Sequence, residues 1–510
     1  MEIKRKNPDF KLIAVVTIAV FFAEVVYGIY LGYIQGILLN DAFSRTANAF
    51  YVVFVKPPRY ASIGLVWNPL PSTLQIPFVF LAKFWRPIAS RGISAAVMTA
   101  SFAALSVGVL LKTFLQLKVS KKYSVLIVLL YALNPFIFFY GSNGMSEAPA
   151  FFFMTYSVCT LVLWMKCGNT MIRLGFALAG LFYTRYEALP FAAAIGVCVI
   201  LNILFNREED KYIIGGNIKE RYYYIEGTLI LIFTPLVYAI FLWILFSFII
   251  SGNALYFLNS VYSNVSQSAF AEINGSLFQL LIYVMKRAMP FLPLFFAIAA
   301  IRMVQRKLLK YDFIALTMLV IAMMAFHYLM LLKGDSFGWL RFFAYSLPIC
   351  IAWIPYEISK CKPKYLSLTK TVLVLGLVMS SFLCLKALND KDLAKEEQFA
   401  RLTREAYVIA EYINTNIPDE KILMDVFTLS GVMLNVNNID NIVVSSSLDF
   451  YDCVEDPLHH GINYILVPDP NGIGNLDAVN LAYKNLYKCG AEWCEEEASF
   501  DGFKLFRVID

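Results

Sequence analysis

Charge is scarce in this 510-residue chain: Asp, Glu, Lys and Arg together make up 16% of it, against about 25% in a soluble globular protein. With 59% hydrophobic residues and a mean hydropathy of +0.63, the chain lacks the polar surface needed to face water on all sides. Histidine is nearly absent, at three residues, and the nine cysteines show no CxxC or Cys/His spacing, which removes the usual zinc frameworks. The absence of a Walker motif and of GxGxxG argues against an ATP-driven pump or a nucleotide-cofactor enzyme, and no Ser-centred nucleophile elbow is present. Internal repeats and low-complexity tracts are also missing. What the chain has in abundance is apolar and aromatic: 43 Phe and 30 Tyr, enough to fill a bilayer interior and its interfacial belts. The composition is that of a membrane protein. Its net charge of +6 lies in short basic clusters between apolar stretches, so topology accounts for it better than a nucleic-acid partner does.

A helix needs roughly 20 mostly apolar residues to cross a bilayer. About eleven such stretches occur: Leu12–Ile34, Ile93–Leu117, Ser124–Tyr140, Ala148–Met165, Leu174–Tyr183, Leu189–Phe205, Gly227–Ile250, Leu280–Ile301, Phe313–Leu332, Phe342–Glu357 and Thr371–Leu385. The fifth is short. The first is read as a retained span, because its apolar run is long and lacks a small-residue cleavage pattern. With the N-terminus cytoplasmic, every inner segment is basic, as the positive-inside rule requires. These segments carry Lys4, Arg5, Lys6 and Lys11; Lys118, Lys121 and Lys122; Lys166 and Arg173; Arg207, Lys211, Lys219 and Arg221; Arg302, Arg306, Lys307 and Lys310; and Lys360, Lys362, Lys364 and Lys370. Thr73–Trp85 tempts a twelfth crossing, but accepting it would place the later basic loops outside. Asn40–Arg91 therefore reads as one long outer loop with interfacial helices, its five prolines from Pro57 to Pro77 favouring irregular backbone there.

The expected architecture is mainly α: a transmembrane helical bundle over residues 1–387 and a small extracytoplasmic α/β domain over 388–510. In the latter, a polar helix through Glu396–Asn414 precedes apolar strands at Ile422–Met424, Ile442–Val444, Tyr464–Val467 and Leu505–Val508. Cys453, Cys489 and Cys494 fall in that domain, where a disulfide and free thiols are both open. Two sequons, Asn264-Val265-Ser266 and Asn274-Gly275-Ser276, share one expected outer loop.

The few ionisable residues outside the inner loops concentrate at one membrane surface. Asp41 and Arg45 open the first outer loop four residues apart, on one helix face. Ser146-Glu147 follows the third helix, Thr184-Arg185-Tyr186-Glu187 the fifth, and Lys333 to Arg341, with Asp335 between, the ninth. Each cluster also has a bland reading: an exposed helical pair, a cap, a structural ion pair, interfacial charges. Together those readings leave the long first loop without a purpose. Glu24 lies mid-span, where a charge costs about 2.5–3.5 kcal/mol; it is expected to face the bundle interior, paired or protonated. His327 reads as a packed helix residue, and His459-His460 lacks metal-ligand company.

These motifs resemble those of the polytopic C-type glycosyltransferases that use polyprenyl-phosphate sugars, a superfamily that includes protein O-mannosyltransferases and the lipid A aminoarabinose transferase. The likeness lies in Asp41-Ala42-Phe43-Ser44-Arg45 after the first helix, Gly64 to Pro69 with Asn68 and Pro71, Ser146-Glu147-x-Pro149, Thr184 to Glu187, Gly334-Asp335, Arg341-Phe342 and Pro348. Tyr464 to Pro470 is similar to a strand and turn in the C-terminal domain of prokaryotic members. The resemblance implies transfer of a sugar from a polyprenyl-phosphate donor to an acceptor hydroxyl on the outer face, with inversion. It implies Asp41 as general base and Arg45, Arg341, Lys333 and Arg185 as ligands of the donor phosphate. Glu147, Glu187, Asp335 and Asn68 would serve as sugar or acceptor contacts. The expected partners are the donor, membrane lipids and a glycan, lipid or protein acceptor. A single acidic residue opens the loop where some members carry a pair or DxD, and no WWDYG-like signature is present. No cofactor is therefore expected, a divalent metal being left open. The rival reading is a transporter or flippase of lipid-linked glycans, which predicts repeated halves and midplane polar sites; a non-catalytic assembly protein is the third.

Overall fold

The computed structural model describes residues 9–168, 171–205, 218–268, 273–390 and 401–509. Lys4, Arg5, Lys6, Arg207, Lys211 and residues 396–400 of the expected polar helix lie outside them. All eleven apolar stretches are helical. Eight helices have the length and apolarity of spans: Phe10–Ile34, Ile93–Gln116, Glu147–Cys167, Ala188–Phe205, Ile218–Ser251, Tyr311–Lys333, Leu340–Lys360 and Pro363–Leu388.

Two further spans are bent. Lys121–Ala132 meets Pro135–Ser142 at 66°, and Leu277–Phe291 meets Pro293–Val304 at 83°. A proline opens each second half, lacking the N–H that would continue the preceding helix. At the first bend Asn134 Oδ1 accepts from the Phe136 and Ile137 amides, capping the restarted helix. The remaining stretch is the 11-residue helix Ile172–Phe182, about 17 Å long, which returns the chain from the Lys166 end of Glu147–Cys167 to Arg185, beside Glu147 at the other end. It packs against Ile218–Ser251 through Gly175, where an added Cβ would lie 2.7 Å from the Ile232 carbonyl oxygen, a backbone approach that only glycine permits.

No single helix runs over Thr73–Trp85. The first loop holds one long helix, Asn40–Phe54, then short turns at Leu70–Thr73, Ile76–Val79, Phe80–Lys83 and Pro87–Ser90. Phe78, Phe80, Leu81, Phe84 and Trp85 are exposed, and the Trp85 ring lies 6.0 Å from Tyr33 at the end of the first span. This apolar ridge extends the lipid-facing side of that span, as an interfacial segment would.

The C-terminal sheet has five strands: β1 (Ile422–Met424), β2 (Ile442–Val444), β3 (Tyr464–Pro468), β4 (Cys494–Phe500) and β5 (Phe503–Val508), in the order β2-β1-β3-β5-β4. β1 pairs in parallel with β2 and β3, whereas β5 runs antiparallel to β3 and β4. Four strands match the sequence expectation. β4, reading Cys-Glu-Glu-Glu-Ala-Ser-Phe, does not look like a strand because its charges sit on a solvent-exposed edge. Cys453, Cys489 and Cys494 are free thiols.

One face of the sheet builds a core with the Asn40–Phe54 helix: Phe43, Ala47 and Phe50 pack in one apolar cluster with Ile409, Leu429, Val432 and Met433. Arg86 fastens the same junction, its guanidinium donating to the Leu434, Met433 and Val436 carbonyls at 2.9, 3.1 and 3.0 Å. The helix Asn40–Phe54 is thus common to the bundle and the domain.

Two buried features lie away from that junction. Glu24 is fully buried, and neither carboxyl oxygen has a hydrogen-bond partner among the described residues; the pairing allowed for it is not made. It occupies an apolar pocket lined by Ala103, Val107, Tyr131 and Phe151, with space left by Gly141, where a Cβ would lie 2.6 Å from the carboxyl. At the opposite end of the bundle, Arg302 binds Asp312 (3.1 Å) and Glu357 (2.6 and 2.7 Å), with Trp353 Nε1 donating to Glu357 and Tyr356 to Asp312. Every member of that group is satisfied, so it serves as a staple between spans.

Candidate active site

Four chain segments supply the charged residues at the end of the bundle beneath the C-terminal sheet. Asp41 lies in the first turn of Asn40–Phe54, where a carboxylate complements the helix dipole, and Arg45 follows one turn on. The turn from Ser142 to Ser146 is shaped by Gly144 at φ +83°, whose amide donates to Thr99 Oγ1; a Cβ there would lie 2.5 Å from that of Ala95. This tight turn starts the next helix at Glu147, with Ser146 beside Arg45. Arg185 and Glu187 come from the break between Ile172–Phe182 and Ala188–Phe205, and Arg341 from the 3₁₀ turn Leu340–Phe343.

The side chains converge as a network. Arg341 Nη2 donates to Asp41 Oδ2 at 2.7 Å, and its Nε lies 3.5 Å from Glu147 Oε1. Arg185 Nη1 reaches the same Glu147 oxygen at 2.7 Å, while its Nε and Nη2 hold Glu187 Oε1 at 3.0 and 2.7 Å. Ser146 Oγ accepts from Arg185 Nη1 at 3.1 Å and Arg45 Nη2 at 3.4 Å, bridging two like charges. Arg45 Nη1 also meets the Asn68 carbonyl at 3.5 Å. Aromatic faces cover the cations: Trp67 lies 4.9 Å from Arg45, Trp339 4.0 Å from Arg341 and Phe342 5.3 Å from Arg185.

Burial grades the three carboxylates. The side chain of Glu147 is 0% exposed, that of Glu187 9% and that of Asp41 30%, so Asp41 alone presents a substantial face to an incoming group. Burial by itself would raise the Glu187 carboxyl, but the Arg185 guanidinium outweighs it and holds the group at about 2. Burial also opposes the charge on Arg185, which the Glu187 and Glu147 carboxylates nevertheless keep well above its ordinary value. Arg45 is pushed down to about 10 by burial, Asp41 partly offsetting this.

Of the residues expected at the site, Asp41, Arg45, Glu147, Arg185, Glu187 and Arg341 come together. The Asn68 amide is spent on the Phe182 carbonyl, leaving its own carbonyl as the contact with Arg45. Lys333 and Asp335 stand outside the network: Gly334 ends the helix in the left-handed region at φ +77°, and Lys333 is exposed. Three contributors had been given no role at the site. Ser146 bridges the arginines, Tyr345 donates to Glu187 Oε1 at 2.8 Å, and His327 stacks between Phe342 and Tyr345 with Nε2 3.8 Å from that oxygen. The spacing of Tyr345, four residues after Arg341, was the available signal. Among the described residues no group of three or more His, Cys, Asp or Glu side chains is gathered to hold a metal ion.

Chemically, three guanidinium groups around an accessible carboxylate suit an anion bound beside a proton acceptor. No family model and no curated protein matches the chain by sequence. Among solved structures, ArnT from Cupriavidus metallidurans bound to undecaprenyl phosphate aligns over 97% of each chain with a TM-score of 0.54 at 11% identity. The Archaeoglobus fulgidus oligosaccharyltransferase tethered to an acceptor peptide aligns over 92% of this chain and 72% of that one, with a TM-score of 0.43 at 10% identity. The first likeness covers bundle and C-terminal domain together and shows that the two chains share a fold, a polytopic helical bundle carrying a C-terminal domain.

Proposed function

We propose that this chain is a membrane glycosyltransferase that moves a sugar from a polyprenyl-phosphate donor to an acceptor hydroxyl. The observation that carries the reading is the placement of Asp41: the most exposed carboxylate of the site, in direct contact with one of three convergent guanidinium groups. The fold shared with ArnT, whose structure holds undecaprenyl phosphate, supports a lipid-phosphate donor.

In the reaction, Asp41 takes the acceptor hydroxyl proton as the oxygen bonds to the anomeric carbon, and the bond from that carbon to the phosphate oxygen breaks. The leaving lipid phosphate gains negative charge, which Arg45, Arg341 and Arg185 stabilise through charge-assisted hydrogen bonds. A single displacement inverts the anomeric centre. Glu147 and Glu187, enclosed in the network, orient the arginines. Lys333 and Asp335, outside the network, take no part in it. The basic loops support a cytoplasmic N-terminus with the site outside and residues 388–510 as the extracytoplasmic domain. The scheme calls on no cofactor.

The test is transfer of labelled sugar from a panel of polyprenyl-phosphate donors. Asp41→Asn keeps the shape of the side chain and removes the base, so turnover is expected to fall by about 10²–10⁴ while folding survives. Unchanged turnover removes Asp41 from this role.

A further inference from the structure

The site holds three guanidinium groups, Arg45, Arg185 and Arg341, and three carboxylates, Asp41, Glu147 and Glu187. Their formal charges cancel, but the pairing is uneven. Arg185 contacts two carboxylates and Arg341 contacts Asp41 closely and Glu147 at longer range. Arg45 is in ion-pair contact with none of them among the described residues, and its Nε has no hydrogen-bond partner although the residue is 8% exposed. A buried guanidinium with an unused donor is an attachment point for one more anion.

That anion would be the donor phosphate, and a neutral site that receives it must release a carboxylate or carry excess negative charge. Glu147 and Glu187 are poorly placed to leave: both are enclosed, and Glu187 Oε1 accepts from Arg185 and Tyr345 together. Asp41 is held by one short contact and is the exposed member. We propose that Asp41 is the resident counterion of the phosphate subsite: the donor phosphate lands on Arg45, takes the place of Asp41 on Arg341, and so frees the base. No covalent bond changes in this exchange; Arg341 Nη2–H leaves Asp41 Oδ2 and donates to a phosphate oxygen instead.

The inference rests on the proposed function and adds an order to it. Donor binds before the acceptor can be activated, and after transfer the returning Asp41 competes with the lipid phosphate product and aids its release.

The test uses the full chain in lipid nanodiscs with undecaprenyl monophosphate as the probe and phosphate-free undecaprenol as the control for the lipid tail. Asp41→Asn removes the competing anion, so the phosphate lipid should bind about five- to tenfold more tightly, with undecaprenol unchanged. Arg45→Gln should weaken the phosphate lipid by at least a similar factor and leave undecaprenol alone. Equal or weaker binding of the phosphate lipid to Asp41→Asn overturns the inference; Asp41→Ala, which also removes the charge, provides the same reading should the Asn variant fail to fold. The two ideas fail separately. Lost transfer with unchanged phosphate affinity leaves the base standing and removes the counterion; tighter phosphate binding with intact transfer does the reverse.

Discussion

Glu187→Gln isolates the electrostatic component of the site that can be sized most directly. The Glu187 carboxyl is held at about 2 in the folded protein, against an ordinary value of 4.5. Folding lowers this pKa, so the stabilisation is complete above about 4.5, declines as the pH falls and is gone below about 2. The difference corresponds to about 3 kcal/mol at neutral pH. An independent route gives a similar size: removing one partner of a buried ion pair costs about 3–5 kcal/mol, and here Arg185 would retain Glu147. Denaturant unfolding in non-ionic detergent, followed by Trp fluorescence from pH 7 to pH 2, should show the variant about 3 kcal/mol less stable at pH 7. The difference should shrink towards zero at the acid end. A loss below about 1 kcal/mol at pH 7, or an acid limb parallel to that of the parent chain, would refute the assignment of Glu187 as a buried, Arg185-held carboxylate.

Three further outcomes follow from contacts elsewhere. Arg302→Met leaves Glu357 buried without its cation and Asp312 with only Lys360 at 3.7 Å, and should cost about 3–5 kcal/mol in the same unfolding assay, most of which the triple variant with Asp312→Leu and Glu357→Met should recover. Gly141→Ala drives a methyl into the Glu24 carboxyl and should cost about 1–3 kcal/mol; combining it with Glu24→Ala should restore stability, and no rescue would contradict the packing. Arg86→Ala removes three hydrogen bonds to the end of the Val426–Asn435 helix. Hydrogen exchange should quicken in residues 401–509 while the spans keep their protection.

Scarcity of charge made much of the fold and the site readable. Where ionisable residues are few, those not needed to orient the spans stand out, and Asp41, Glu147, Arg185 and Arg341 stood out for that reason. Of their partners only Glu187, two residues from Arg185, was legible. Asp41 and Arg45 share a helix face, as the four-residue spacing implies, yet the Asp41 carboxylate turns to Arg341, 300 residues along the chain. Helix geometry places side chains on a face; packing between distant helices decides what they meet. Lys333 and Asp335 lie close to Arg341 in the chain but not in the network, because Gly334 reverses the backbone between them. Glu24 illustrates the converse: its position predicts burial but not whether a partner is available, which depends on helices brought together only in the folded bundle. β4 escaped notice since alternation of apolar and polar residues marks a strand with one buried face, and an edge strand carrying three glutamates has little of it.

The long separation between Asp41 and Arg341 bears on biogenesis. Spans enter a membrane in chain order, and an uncompensated charge is costly there. Glu147, Arg185 and Glu187 lie within 40 positions of one another and Arg302 within ten of Asp312, so these charges can be neutralised soon after synthesis. Asp41 must wait until the Leu340–Lys360 span arrives. A ribosome therefore completes most of the bundle before Asp41 acquires Arg341, and the nascent protein has no assembled charge network until the tenth of its eleven apolar helices is in place.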